Sequence, residues 1–89
     1  MSVVIKDFYG EGCGPCRLTG QNLDSVLKAH PELVVEKIDA EDDDEQVEKF
    51  GIRNIPTLIY FKDGVEVKRT TGLQTIQQIE DILKDVEGC

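Results

Sequence analysis

The chain predicts a small α/β fold: strands and helices in the order β-α-β-α-β-β-α, around a four-stranded mixed sheet. Three observations carry this. Residues 2–8 and 33–39 are two β-branched, apolar stretches (Val3-Val4-Ile5 and Leu33-Val34-Val35 at their cores) with a helical stretch between them. A helix between two such strands makes a βαβ unit, with parallel strands and a right-handed crossover. Residues 57–61 and 65–70 are then joined by Lys62-Asp63-Gly64, and Asp-Gly is the strongest short hairpin signal. With 89 residues, the chain makes one domain, residues 1–89, with a modest core.

Each element has its own warrant. Strand alternation puts Val3, Ile5 and Asp7 on one face of the first strand and Val4, Lys6 and Phe8 on the other. Asp7 is therefore an acid on a core face. Gly10, Glu11 and Gly12 form a flexible approach to Cys13, and residues 17–30 read as a helix stopped by Pro31. Pro15 fits its first turn, where a missing N–H costs nothing. Leu18, Leu23, Val26 and Leu27 are expected to face inward.

The acidic run Glu41-Asp42-Asp43-Asp44-Glu45 reads as a solvated loop entering a short helix, residues 46–50, which Gly51 ends. It lacks the spacing and glycine of a calcium loop. Thr75 to Gln78 fits a capping box, and Ile76, Ile79, Ile82, Leu83 and Val86 form the stripe of a last helix. No repeat, linker or other low-complexity segment interrupts the pattern.

Charge narrows the partners. A net charge of −8 disfavours nucleic acid and anionic membranes, both of which need Lys and Arg. No apolar run approaches the ~18 residues of a spanning helix, and the first residues do not form a signal peptide. The expected location is the cytoplasm.

Three cysteines is the wrong count for a secreted disulfide scaffold. Two of them sit in Cys13-Gly14-Pro15-Cys16, where a loop ends and a helix begins. The free N–H groups and positive dipole end of a helix stabilise a thiolate there and lower its pKa. A zinc half-site is the competing reading. Zinc needs about four ligands, and Cys89, His30 and scattered carboxylates offer no second paired motif. Redox chemistry is the stronger reading, with no metal. His30 lies at the far end of the helix, so no Cys–His dyad is expected, and Cys89 reads as a tail thiol.

Cys13-Gly14-Pro15-Cys16 after Asp7-Phe8, followed by Gly51-Ile52-Arg53-Asn54-Ile55-Pro56-Thr57 and Phe61-Lys62-Asp63-Gly64, resembles the thioredoxin family over nearly the whole chain. The resemblance implies a protein dithiol–disulfide oxidoreductase with sheet order 2-1-3-4 and strand 3 antiparallel to strand 1. Catalysis would fall to Cys13 as nucleophile, Cys16 as resolving thiol, Asp7 as the buried acid and Lys37 as the lysine that tunes it. Gly12, Gly14, Pro15, a cis Ile55-Pro56, Thr71 and Gly72 would bind substrate, and Ile55 would pair with a bound peptide through its backbone. The catalytic cycle would need no bound cofactor. Disulfide-containing proteins would be the substrates, a flavoprotein thioredoxin reductase the electron donor, and the protein a monomer.

The chain departs from the family pattern in four places. Gly12 and Tyr9 stand where tryptophans are usual, which implies broader or weaker substrate binding. A first strand and helix that the family usually has are absent, so the Val4/Lys6/Phe8 face is expected to lose its cover and the second strand to become an edge. Gly20-Gln21 replaces a kinking proline. A glutaredoxin-like, glutathione-dependent enzyme is the nearest rival. It would carry Cys-Pro-Tyr-Cys and Val-Pro, and more basic residues than Arg17 near the motif. A redox-silent binding module would not need both cysteines and Asp7, and a metal-binding module would need further ligands.

Overall fold

The computed structural model describes residues 2–88, so Cys89 lies outside the described residues. The elements are β1 (Val3–Tyr9), α1 (Gly14–Ala29), β2 (Val34–Asp39), α2 (Asp44–Phe50), β3 (Thr57–Lys62), β4 (Val65–Thr71) and α3 (Ile76–Glu87). The four strands form one sheet in the order β2-β1-β3-β4. β1 runs parallel to β2 and antiparallel to β3, and β3 is antiparallel to β4. The βαβ unit predicts the parallel β1–β2 pair and the Asp-Gly hairpin the antiparallel β3–β4 pair; the strand order and the antiparallel β1–β3 pairing are those the family resemblance implies. Asp63 and Gly64 turn with positive φ, as that hairpin requires.

The sheet separates two apolar layers. On one face Val3, Ile5, Leu58 and Tyr60 pack with Leu23 and Val26 of α1 and Ile79, Leu83 and Val86 of α3. On the other, Phe8, Ile38 and Ile59 pack with Val47, Phe50, Ile52 and Phe61. Alternation along β1 thus sends Asp7 toward α1 and Lys6 toward α2.

The second face is covered, contrary to the expectation that it would be left bare. α2 lies on it. Lys6 Nζ sits 4.8 Å from the Phe50 ring centroid and 5.8 Å from that of Phe61. It donates to Gln46 Oε1 at 2.9 Å and lies 3.7 Å from Glu36 Oε1. A lysine is tolerated there because its stem covers aromatic surface while its head finds polar partners.

Local signals place the helix ends. Asp43 caps α2, accepting from Gln46 N at 3.1 Å, so the acidic run enters the helix as expected, two residues earlier than the pattern suggested. Gly51 closes α2 at φ 63°. At the C-terminal end Arg69 Nη1 donates to Phe50 O at 2.6 Å, a cation on the negative pole. Thr75 and Gln78 form the predicted capping box of α3.

Two inward assignments are corrected. Leu18 is 48% exposed, and the buried face of α1 runs Cys16, Thr19, Leu23, Val26. Leu18 falls about 100° off that stripe. Ile76, at the start of α3, is exposed as well.

Candidate active site

α1 begins at the cysteine motif itself, not at Arg17. Cys13 is the N-cap in extended conformation, and Pro15 occupies the first turn. Cys13 and Cys16 form a disulfide, with their Cα atoms 5.2 Å apart. Cys16 N–H points at Cys13 Sγ, 3.2 Å away. When the pair is reduced, that same N–H and the helix dipole favour thiolate at Cys13. Cys16 is buried and Cys13 is half-exposed, so the two sulfurs are inequivalent in access.

Behind the disulfide lies a cleft of about 560 Å³. Asp7, Cys13, Cys16, Gly12, Gly14 and Lys37 all line it, which brings together the four catalytic candidates and two of the binding candidates. Asp7 is 1% exposed, and its Oδ1 has no hydrogen-bond partner. Burial pushes its pKa up from 3.8 to about 6, against the lowering pull of the Lys37 ammonium; Asp24 adds a smaller upward push. Lys37 is the β2 residue directly opposite Asp7, but its ion pair is with Asp24, at 3.5 Å.

The remaining candidates form a second group. The Ile55–Pro56 peptide bond is cis. Gly72 N–H donates to Pro56 O at 2.9 Å, and Thr71 stands opposite Thr57 in the ladder. Ile55, Pro56, Thr71 and Gly72 therefore make one rim, and none of them lines the cleft. Among the described residues no hydrogen bond takes up the N–H or C=O of Ile55. Pro15 is exposed and does not line the cleft.

Several contributors were not evident from sequence. Thr19, fully buried, accepts from Gln74 N–H at 3.2 Å, and Asn22 Nδ2 donates to Gln74 O at 2.8 Å. These bonds fasten the segment that carries Gly72 to α1. Gly10 is buried, and a Cβ there would lie 2.6 Å from Ile55 Cδ1. Gly10 thus couples the cleft to the rim. Gly12 has φ 73°, so this backbone selects glycine for conformation as well as for access. The one signal in the sequence was the i, i+3, i+4 spacing that places Thr19 on the buried stripe.

A bonded cysteine pair at a helix start, with one sulfur accessible and the other buried, is the arrangement of a thiol–disulfide oxidoreductase site on an α/β sheet. The comparisons with known proteins agree with this class. The thioredoxin family model matches residues 1–85. The thioredoxin of Alicyclobacillus acidocaldarius is 42% identical over 84 residues, 93% of this chain and 80% of that protein. The thioredoxin of Chlamydia muridarum is 40% identical over 72 residues, 81% of this chain and 71% of its own length. Among solved structures, Fasciola hepatica thioredoxin superposes with a TM-score of 0.84 at 30% identity, over 93% of this chain and 80% of that one. A mutant thioredoxin from Halobacterium salinarum gives 0.88 at 30% identity, over 96% and 74%. The chain belongs to the thioredoxin family and is a thiol–disulfide oxidoreductase with Cys13 and Cys16 as its redox pair.

Proposed function

We propose that the protein reduces disulfides of protein substrates, with Cys13 attacking, Cys16 resolving and Asp7 carrying the proton of the resolving step. The observation that carries this is the asymmetry of the pair. Cys13 has access and the helix N-terminus, whereas Cys16 is buried and shares a cleft with a partnerless carboxyl group.

The Cys13 thiolate attacks one sulfur of the substrate disulfide. A Cys13–substrate bond forms, the substrate S–S bond breaks, and the first substrate thiolate leaves and takes up a proton. Asp7 then accepts the Cys16 proton. Cys16 Sγ attacks Cys13 Sγ, the intramolecular disulfide forms, and the second substrate sulfur leaves with the bonding pair. The dithiol loses two electrons and two protons, and the substrate gains both. With its pKa near 6, Asp7 is mostly ionised at neutral pH yet more basic than an ordinary aspartate, which suits a proton acceptor.

The rim receives substrate. Ile55 offers an unpaired backbone N–H and C=O to an extended peptide, in the manner of an added strand. Pro56, Thr71, Gly72, Pro15 and the glycines at 12 and 14 leave that approach low. Electrons would come from a flavoprotein thioredoxin reductase. The test measures reduction of a protein disulfide with NADPH and thioredoxin reductase, against NADPH, glutathione reductase and glutathione. The reading predicts turnover at least roughly tenfold faster with the first system. Faster turnover with glutathione would place the protein functionally with the glutaredoxins.

A further inference from the structure

Lys37 and Asp7 are direct neighbours across the parallel β1–β2 pair, with their side chains on the same face of the sheet. The Asp7 carboxyl could therefore be expected to draw in the Lys37 head. It does not: Lys37 Nζ lies 3.5 Å from Asp24 Oδ1 on α1, and Asp7 Oδ1 has no partner at all. The ammonium also rests against the helix at Gly20, 3.7 Å from where a Cβ would be. All three charged groups line the cleft that reaches Cys16.

We propose that Asp24 is a positioning residue for the resolving step: it holds the Lys37 ammonium on the α1 side of the cleft and off the Asp7 carboxyl, and so sets how readily Asp7 gives up and takes back its proton. The other titratable or charged groups facing this cleft are Tyr9 from β1, Arg17 from α1 and the two cysteines. None of these is an anion paired with Lys37, so Asp24 alone competes with Asp7 for it. The electrostatic balance at Asp7 agrees in sign, since Lys37 lowers its pKa and Asp24 raises it. Removing the Asp24 charge acts twice: a repelling anion is lost, and a cation is freed to approach.

This inference rests on the proton role of Asp7 only for its kinetic consequence, so two readouts are needed. The first is a carboxyl ¹³C NMR titration of Asp7 in the oxidised full chain, for wild type, Asp24→Asn, Lys37→Met and the double variant. Both positions are substantially exposed, so the variants keep the fold. Asp24→Asn is expected to lower the Asp7 midpoint by roughly half a pH unit or more, and Lys37→Met to raise it. In the Lys37→Met background, Asp24→Asn is expected to move the midpoint less than half as far. An unchanged midpoint in Asp24→Asn, or equal shifts in both backgrounds, overturns the proposal. The second readout is the acid limb of the pH profile for single-turnover resolution of a mixed disulfide. It is expected to follow the NMR midpoint. If the midpoints move and the rate profile does not, the hold of Asp24 on Lys37 stands and the proton role of Asp7 falls.

Discussion

At Asp7 burial raises the carboxyl pKa from 3.8 to about 6. Between those values the folded chain binds more protons than the unfolded chain, so the contribution of Asp7 to stability declines as pH rises through 6. Above that it is a constant penalty, on the order of 3 kcal/mol by linkage. Asp7→Asn should therefore be more stable than wild type at pH 8 by about that amount, with the gain vanishing near pH 4. Urea unfolding of the oxidised proteins at the two pH values checks this; an equal gain at both would contradict it. The group that weakens the fold is the one assigned to the chemistry.

Gly10 and Gly12 are constrained in different ways. At Gly10 an added Cβ meets Ile55 Cδ1, the far end of a flexible side chain. Gly10→Ala should turn Ile55 into the groove and raise KM for a protein disulfide several-fold, with stability changed by less than ~1 kcal/mol. Ile55→Val, which removes Cδ1, should restore KM in the Gly10→Ala background. At Gly12 the Cβ would meet nothing, but φ is 73°. Gly12→Trp should cost about 1–2 kcal/mol in backbone strain, read from denaturant unfolding.

Among the elements, α1 matters most to the site through its ties to the segment between β4 and α3. Thr19 and Asn22 hold Gln74, and Gln74 lies two residues beyond the rim glycine. At the other end of α1, His30 Nε2 lies 2.8 Å from Glu80 Oε1 on α3. The lone histidine thus joins two helices and takes no part in the cysteine chemistry. Thr19→Val keeps the shape but leaves the buried Gln74 N–H unpaired, which should cost about 1–3 kcal/mol. A loss of that size in unfolding, with a higher KM because Gly72 is loosened, is the expected result; unchanged values of both would show that the tie is not needed. α2 contributes differently, by covering the far face of the sheet over Phe8 and Lys6.

For the molecule as a whole, the parallel β1–β2 unit, the β3–β4 hairpin and the two faces of β1 were legible because alternation and turn chemistry are local signals, whereas the order of the sheet and the β1–β3 pairing, which are non-local, came through the family resemblance. The cysteine motif, Asp7 and the cis-proline loop were legible through their spacing and family resemblance. What was not legible depends on distance through space. Lys6 looked exposed because the pattern does not say that the short α2 folds back over it. Thr19 looked polar and Leu18 apolar, so the inward stripe was misread by one position. Asp24 gave no signal, because its role lies in competing with a residue on another strand for one lysine. Gly12 read as a missing tryptophan, whereas the positive φ there gives glycine a reason of its own. No helix among the described residues is long and apolar enough to cross a membrane.

The division of labour in which Cys13 attacks and Cys16 resolves can be read directly from trapped intermediates. Cys16→Ser and Cys13→Ser variants are incubated, reduced, with a disulfide-containing protein and mapped by mass spectrometry without reductant. Cys16→Ser is expected to accumulate a mixed disulfide through Cys13, and Cys13→Ser to form none and lose turnover. A mixed disulfide through Cys16 in the Cys13→Ser variant, or full turnover in either variant, would contradict it.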